Sequence, residues 1–150
     1  MSDQNDEHIV FKRRDGDEDE DDVKDHRPLV YLACPYTHDE ESVMEMRFEK
    51  VTQIGAELAS DGYSVFSPIS MSHPMKKYGL PGNWEFWAKF DEDFISCSNK
   101  LFVLMIDGWE TSTGVTAEIK IAQKMRIPIV YLKYFEISVR GDGKHFEEII

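Results

Sequence analysis

Beyond Pro28 the sequence alternates short apolar runs with longer amphipathic stretches, and this alternation constrains the fold more than any other feature. The apolar runs cover residues 30–34, 63–66, 101–106 and 127–132, and the stretches between them carry apolar residues at helical spacing. Such alternation is typical of parallel sheets whose strands are joined by right-handed helical crossovers. We therefore predict an α/β fold with a single doubly wound sheet, Rossmann-like or flavodoxin-like, of four or five parallel strands flanked by helices.

Three helices are predicted between the strands, over residues 40–60, 84–98 and 115–124. The segment 69–83 is predicted to be a functional loop, because it contains two prolines and two glycines and is long for a simple connector. In open parallel sheets, ligands bind outside the carboxyl ends of the strands. We therefore expect the functional site in the loops that follow the first three predicted strands.

The negative charge of the chain is concentrated near its start. The formal net charge is −12, and residues 1–28 contain eleven acids against five Lys or Arg, a net charge of −6. A like-charge block with few apolar residues cannot offset the entropy that is lost on ordering. We therefore predict a disordered acidic tail over residues 1–28 and one folded domain over residues 29–150. The same charge disfavours binding to nucleic-acid phosphates.

The apolar segments and the cysteines indicate the compartment. No stretch approaches the roughly 20 apolar residues that span a bilayer, and the acidic start is unlike a signal peptide. We therefore expect a cytoplasmic protein that does not bind membranes. Cys34 and Cys97 both lie in apolar surroundings, and we predict that both are reduced core residues.

Glu118 is the first candidate for chemistry. It is predicted to lie in the first turn of the helix that follows the third strand, and Val115 excludes a capping box. Two interpretations stay open for this carboxylate. It can simply complement the helix dipole, or the positive potential of the helix end can keep it ionised as an acyl or glycosyl nucleophile.

Two aspartates are candidate partners of Glu118. At about 100° per residue, Asp91 and Asp93 fall at similar angles on either side of the apolar stripe of the helix predicted over residues 84–98. Helical periodicity therefore does not choose between them. A Mg²⁺-dependent phosphohydrolase built on residues 91–93 is disfavoured, because its aspartates would have to follow a strand directly.

Small and aromatic residues in the predicted loops complete the candidates. Gly114 is predicted to permit a sharp turn and close approach to a ligand, with no room for a Cβ atom. Neither the dinucleotide-binding glycine pattern nor the P-loop pattern is present. The rings of Tyr36, His73 and Trp84 are candidates for contact with a flat base, whereas Trp87 is predicted to lie in the core.

The order of these elements resembles the nucleoside 2-deoxyribosyltransferase superfamily. The resemblance rests on the strand Val30-Tyr31-Leu32-Ala33-Cys34, on Asp93 before the third strand, and on the segment Ser112-Thr113-Gly114-Val115-Thr116-Ala117-Glu118-Ile119. Uncharacterised bacterial and phage members are the most similar, since they carry similar Cys-Pro-Tyr, Ser-His-Pro and Gly-Trp-Glu-x-Ser-x-Gly-Val elements. The resemblance covers nearly all of residues 29–133.

The resemblance implies cleavage of an N-glycosidic bond in a nucleoside or nucleotide. Glu118 matches the catalytic glutamate that attacks the anomeric carbon and forms a covalent sugar ester, and Tyr31 matches the tyrosine that orients it. Asp93 matches the aspartate that serves the leaving base as general acid. Two carboxylates suffice for such a displacement, so no metal and no cofactor is expected.

Ser112 bears on the substrate that the resemblance implies. Transferases that act on free nucleosides have an acid at this place, whereas the related 2′-deoxynucleoside 5′-phosphate N-hydrolases have serine, which does not repel a phosphate. The serine favours a 5′-monophosphate and hydrolysis. Pro35 and Thr37 depart from the serine and arginine of those hydrolases, and Arg47 is expected to supply the missing cation.

The predicted site therefore has three catalytic residues and a set of substrate contacts. The catalytic residues are Glu118, Asp93 and Tyr31, and the contacts are Ser112, Gly114, Tyr36, Thr37, Arg47, His73 and Trp84. The resemblance also implies a homodimer or larger assembly in which a neighbour completes each pocket. The alternative hypothesis is a nucleotide-sensing module that has the same fold without turnover, since fold does not determine function.

Overall fold

The computed structural model describes residues 26–138 and 141–149, which form one sheet and the helices that flank it. The predicted acidic tail lies outside the described residues except for its last three positions. The strands are β1 (Leu29–Ala33), β2 (Ser64–Phe66), β3 (Lys100–Leu104), β4 (Ile129–Tyr134) and β5 (Phe146–Ile149). The α-helices are α1 (Glu41–Ser60), α2 (Pro68–Met75), α3 (Trp84–Ser96) and α4 (Thr113–Lys124), with 3-10 turns at Lys76–Tyr78 and Trp109–Thr111.

The five strands form a single sheet in the order β2-β1-β3-β4-β5, which confirms the predicted α/β fold with a helix-flanked sheet. The first four strands are parallel, but β5 is antiparallel to β4, with Tyr134 opposite Phe146. The four predicted strands are parallel as expected, and the fifth strand, which the sequence did not predict, makes the sheet mixed and not wholly parallel. Only residues 135–145 separate β4 from β5. A parallel crossover needs a dozen or more residues, usually with a helix, so this short connection returns as a hairpin.

Side chains of β1 alternate between the two faces of the sheet. Val30 and Leu32 pack in the cluster that contains buried residues of α1, whereas Tyr31 and Ala33 pack in the cluster that contains buried residues of α3 and α4. This alternation follows from the period of two along a strand. Tyr31 therefore points towards the face that α3 and α4 cover.

Helix α4 begins at Thr113, two residues before the predicted start. Ser112 is its N-cap, and the Ser112 Oγ atom accepts a hydrogen bond of 3.2 Å from the Val115 backbone N–H. Glu118 is consequently the sixth residue of α4. The prediction that it lies in the first turn is wrong, because it lies in the second.

The predicted loop 69–83 is partly helical. Ser67 caps α2, with Ser70 N–H as the donor to its hydroxyl oxygen, and Pro68 occupies the first helical position, where a missing N–H costs nothing. Residues 79–83 then lead into α3, which ends at Ser96. Cys34 is buried as predicted, but Cys97 follows the end of α3 and is exposed, so its predicted core position is wrong.

Within the part of the chain that the structure describes, no helix has both the length and the apolar character that crossing a membrane requires.

Candidate functional site

A pocket of about 480 Å³ lies beyond the carboxyl ends of β1, β2 and β3. Its walls come from the loop after β1, from α2 and the segment that follows it, from the start of α3, and from the turn that leads into α4. The volume lies in the range of small-molecule sites, which is about 300–1,000 Å³. The three loops that were predicted to surround a ligand therefore do meet at one pocket.

Two carboxyl groups face this pocket from neighbouring helices. Glu118 on α4 is 4% exposed and Asp91 on α3 is 6% exposed, and both residues line the pocket. Tyr31 lies in the adjacent strand, is fully buried, and interacts electrostatically with both carboxyl groups. A strand and two helices that pack on the same face of the sheet thus bring these three side chains together.

Burial is the main influence on the pKa values of the two carboxyl groups. It raises the pKa of Glu118 from 4.5 to about 8, an effect that the Tyr31 phenol opposes and the charge of Asp91 reinforces. Burial likewise raises the pKa of Asp91 from 3.8 to about 6, and Tyr31 again opposes the change. Burial therefore opposes the ionisation that was predicted for Glu118.

Burial and the two neighbouring carboxyl groups also raise the pKa of the Tyr31 phenol well above its usual value. Near neutral pH the phenol is therefore protonated, and the two carboxyl groups together hold about one proton.

Three polar atoms in this group have no hydrogen bond of good geometry among the described residues, although the Tyr31 phenol is close enough to interact with both carboxyl groups. They are the Tyr31 hydroxyl, Asp91 Oδ1 and Glu118 Oε2, and all three are buried. Buried polar atoms almost always have a partner, because an unmet donor or acceptor costs about 1–3 kcal/mol. They lie where Tyr31 meets Glu118 and Asp91, the two carboxyl residues that line the pocket.

Asp93, the aspartate that the resemblance selected, does not reach the pocket. Its side chain is 63% exposed and its Oδ1 atom lies 2.9 Å from Lys89 Nζ, one turn earlier on α3. Asp91 instead lies one turn before Ile95, which is fully buried, and therefore on the face that packs against the sheet. Of the two aspartates, Asp91 is therefore the one that lines the pocket.

Five of the predicted substrate contacts line the pocket, namely Tyr36, Thr37, Trp84, Ser112 and Gly114. The protein atoms around Gly114 leave room for a Cβ atom, and the predicted close approach of a ligand stays a prediction. A Cβ atom at this position would lie 3.8 Å from Glu118 Oε1 and 3.9 Å from the Trp84 ring, which is ordinary van der Waals contact.

Arg47 was predicted to meet a phosphate, but it lies outside the pocket lining. Its guanidinium is buried and donates to the carbonyl oxygens of Tyr36 at 3.3 Å, Thr37 at 3.1 Å and Asp107 at 3.1 Å. Arg47 therefore joins the loop after β1 to the loop after β3. Gly108 accommodates this arrangement, since its φ is +91° and a Cβ atom there would lie 2.5 Å from Arg47 Nη2.

His73 also lies outside the pocket lining, so the structure does not support the predicted base contact. Its Nδ1 atom lies 2.6 Å from the Tyr36 hydroxyl, and its ring stacks on Phe48 with centroids 4.3 Å apart. His73 therefore contacts the hydroxyl group of a residue that lines the pocket.

Several lining residues were missed by the sequence analysis. Trp87, predicted to be a core residue, lines the pocket, and its Nε1–H donates a 2.7 Å hydrogen bond to the Pro81 carbonyl oxygen. Lys76 is the one cationic residue among the described residues that line the pocket. The signal for Trp87 was available, because it precedes Asp91 by four residues and so shares its helix face.

A family model described as a domain of unknown function (DUF1937) matches residues 28–134. The chain belongs to the DUF1937 family. The matched DUF1937 region ends with the last residue of β4 and contains Tyr31, Asp91 and Glu118. No curated protein matches this DUF1937 chain.

Within residues 26–138 and 141–149, no group of three or more His, Cys, Asp or Glu side chains is arranged to hold a metal ion.

Proposed function

We propose that this DUF1937 domain cleaves the N-glycosidic bond of a nucleoside or a nucleoside 5′-monophosphate through a covalent glycosyl ester on Glu118. The observation that carries the proposal is the pair of buried carboxyl groups, Glu118 and Asp91, that face one pocket beside the Tyr31 phenol. The sequence resemblance to the nucleoside 2-deoxyribosyltransferase superfamily supports the same reaction. Asp91 takes the role that the resemblance had given to Asp93.

The reaction needs one ionised and one protonated carboxyl group. In the first step, a Glu118 oxygen forms a bond to the anomeric carbon while the bond from that carbon to the base nitrogen breaks. Asp91 gives its proton to the departing base and is left ionised. In the second step, Asp91 takes a proton from water, whose oxygen bonds to the anomeric carbon and releases Glu118 as a carboxylate. A second base in place of water would make the reaction a transfer.

The pocket holds the right number of protons for this step. With a pKa of about 8 for Glu118 and about 6 for Asp91, the pair shares about one proton near neutral pH, and that proton resides mainly on Glu118. Attack by Glu118 requires the proton to move to Asp91. The Tyr31 phenol interacts with both groups, so it can pass one proton to Asp91 and take one from Glu118.

The walls of the pocket suit a nucleoside. Trp84, Trp87 and Tyr36 offer aromatic surfaces to a base. The Ser112 oxygen accepts the helix-capping bond from Val115, which leaves the Ser112 hydroxyl proton available to a phosphate or sugar oxygen. Lys76 supplies a positive charge at the wall, and this favours the 5′-monophosphate over the free nucleoside.

The test is release of free base from a panel of deoxynucleosides, ribonucleosides and their 5′-monophosphates, with and without an acceptor base, followed by chromatography. Release without acceptor supports hydrolysis, and exchange that requires acceptor supports transfer. Glu118→Gln and Asp91→Asn should lose base release, and the matched surface variant Asp93→Asn should retain it. Equal activity of Glu118→Gln and the native protein would refute the mechanism.

Because the shared proton resides mainly on Glu118, a separate experiment is needed to show which carboxyl group is the nucleophile. A 2-fluoro-deoxyribosyl nucleoside slows release of the sugar ester, and mass spectrometry of the peptides then shows which residue carries the sugar. The ester is expected on Glu118. An ester on Asp91 would exchange the two roles.

The second candidate function is a nucleotide sensor with the same pocket and no turnover. The orphaned polar atoms at the pocket end are equally suited to binding without chemistry. Binding of a nucleotide with no base released from any member of the panel would favour this function.

A further inference from the structure

Tyr36 faces the pocket at the head of a hydrogen-bonded chain that leads away from it. The Tyr36 hydroxyl lies 2.6 Å from His73 Nδ1, and His73 Nε2 lies 2.6 Å from Glu45 Oε2. Tyr36 follows β1, His73 is on α2 and Glu45 is on α1. Three separate parts of the chain therefore meet to form this row, and Tyr36 is its one member that lines the pocket.

Packing fixes the imidazole in place within the row. The His73 ring stacks on Phe48 at an interplanar angle of 22° and meets the Tyr36 ring edge-on at 87°. The His73 side chain is 17% exposed, whereas that of Glu45 is 57% exposed. A ring held on two sides cannot exchange its two nitrogens by rotation, so their hydrogen-bond roles are set by their partners.

The roles follow from what each group is able to do. A carboxylate only accepts hydrogen bonds, so Nε2 must carry the proton that lies between His73 and Glu45. In the neutral imidazole the other nitrogen, Nδ1, is then an acceptor, and the Tyr36 hydroxyl must donate to it. Burial raises the pKa of the Tyr36 phenol, so the hydroxyl keeps the proton that it donates. The Tyr36 oxygen is left with lone pairs and no proton for the pocket.

We propose that Glu45 and His73 are positioning residues that make Tyr36 a hydrogen-bond acceptor towards the pocket, so that the pocket selects a ligand carrying an N–H or O–H donor at this wall. The inference rests on the proposed function for the class of ligand, since on a nucleoside the donor is an amino group of the base or a hydroxyl of the sugar. Among the described residues, Lys76 is the protein donor beside the Tyr36 oxygen: its ammonium interacts with the phenol, and its Nζ atom lies 5.4 Å from the ring centroid. Because Lys76 is exposed, a ligand donor can replace it at the phenol oxygen.

The tautomer of His73 is tested first, and this arm needs no ligand. Long-range ¹H–¹⁵N spectra of the native protein at neutral pH distinguish the two neutral tautomers and the imidazolium, and His73→Gln identifies the signal. The proton is expected on Nε2 alone. A proton on Nδ1, with or without one on Nε2, overturns the proposal whatever the chain binds.

The second arm measures dissociation constants for ligands that differ by one donor. The pairs are deoxyadenosine with its 6-deamino analogue, deoxycytidine with its 4-deamino analogue, and deoxyadenosine with its 5′-deoxy and 3′-deoxy forms, all in a Glu118→Gln background that prevents consumption. Loss of the donor that meets Tyr36 should weaken binding by about three- to tenfold, the effect of one neutral hydrogen bond. The pair that shows the loss identifies the source as base or sugar.

Three further variants separate positioning from a merely structural role. Tyr36→Phe should abolish the discrimination within that pair, because the ring stays and the oxygen is gone. Glu45→Gln releases the constraint on His73, since a side-chain amide both donates and accepts, so the ratio of the two dissociation constants should fall towards one. Glu49→Gln removes the same charge from α1 one turn later and should leave the ratio unchanged.

The outcomes distinguish this inference from the proposed function. Discrimination that survives Tyr36→Phe in both the base and the sugar pairs overturns the inference, even if the protein releases base. Absence of binding to every nucleoside refutes the proposed function. The spectra of His73 then still show whether Glu45 and His73 make the Tyr36 oxygen an acceptor.

Discussion

Replacement of Glu118 by Gln should make the stability of the protein less dependent on pH. Burial raises the pKa of Glu118 from 4.5 to about 8 in the folded chain. Between these two values the folded state binds more protons than the unfolded state, so the free energy of unfolding falls as pH rises. Below pH 4.5 Glu118 is protonated in both states, so burying it carries no cost of ionisation. Above pH 8 it is ionised in both states, and the full cost of burying the charge lowers the free energy of unfolding. Glutamine has nearly the same shape and no charge to bury.

The magnitude follows from the two pKa values. Their difference corresponds to about 5 kcal/mol when one pKa unit is worth about 1.36 kcal/mol. Part of this loss has already occurred at pH 5.5. Between pH 5.5 and pH 9, the free energy of unfolding of Glu118→Gln should therefore rise relative to that of the native protein by about 3 kcal/mol.

Urea unfolding followed by tryptophan fluorescence measures this quantity, since three tryptophans report on the fold. The quantity compared is the difference in free energy of unfolding between variant and native protein at each pH, because titration of the groups that do not interact with Glu118 then cancels. Asp93→Asn is the matched control: it removes one acid from an exposed pair, whose contribution is typically below about 1 kcal/mol, and should follow the native curve.

The burial argument fails if the difference between Glu118→Gln and the native protein stays constant from pH 5.5 to pH 9. A constant difference would mean that the Glu118 carboxyl group has the same proton affinity in the folded and unfolded chains. The proposed sharing of one proton between Glu118 and Asp91 would fall with it.

Three other predictions follow from the same structure. Asp91→Asn should lower the rate of base release by about 10²–10⁴-fold, the usual contribution of a general acid, whereas Asp93→Asn should stay within about twofold in the same assay. Lys76→Met should raise the KM for a 5′-monophosphate by about tenfold at low salt and leave that for the matching nucleoside unchanged, and equal effects on both substrates would remove Lys76 from phosphate recognition. Arg47→Met should lower the free energy of unfolding by about 2–4 kcal/mol in urea titrations, because three carbonyl oxygens lose a charged donor, and a loss below about 0.5 kcal/mol would contradict the joining role of this residue.

The alternation of apolar runs was sufficient to predict the sheet and the edge at which the pocket lies. Each run has the right length and composition for a buried strand, and the intervening helices leave few ways to connect them. The reversal of β5 was not predicted, because the segment that follows β4 has no strong strand pattern. Its direction is set by the shortness of the connection from β4.

The choice between Asp91 and Asp93 shows where helical periodicity fails. The apolar stripe of the helix that contains both aspartates was predicted to comprise Trp87, Phe90, Phe94 and Cys97, but Cys97 is exposed, and Phe94 is 38% exposed and stacks on Phe66 with centroids 3.9 Å apart. The face that packs against the sheet is instead marked by the fully buried Ile95. Helical periodicity left the two aspartates equivalent, and the resemblance selected Asp93; the burial of Ile95, one turn after Asp91, distinguishes them in the structure.

Arg47 and His73 could not be placed from sequence patterns. Arg47 is bound by the carbonyl oxygen of Asp107, sixty positions later, and His73 by the hydroxyl of Tyr36, thirty-seven positions earlier. Contacts of this separation depend on how helices pack over the sheet. The cap at Ser112, by contrast, was predictable, since serine three residues before an amide at a helix start is a common local pattern.

The two outer strands of the sheet limit how copies of this chain can associate. β2 has three residues and β5 has four, and β5 carries Glu147 and Glu148. Short edge strands, and the acidic side chains on β5, discourage a neighbouring backbone from pairing with the sheet. Any self-association of the described region should therefore occur through side chains on its helices and loops, and not through a sheet continued from one molecule to the next.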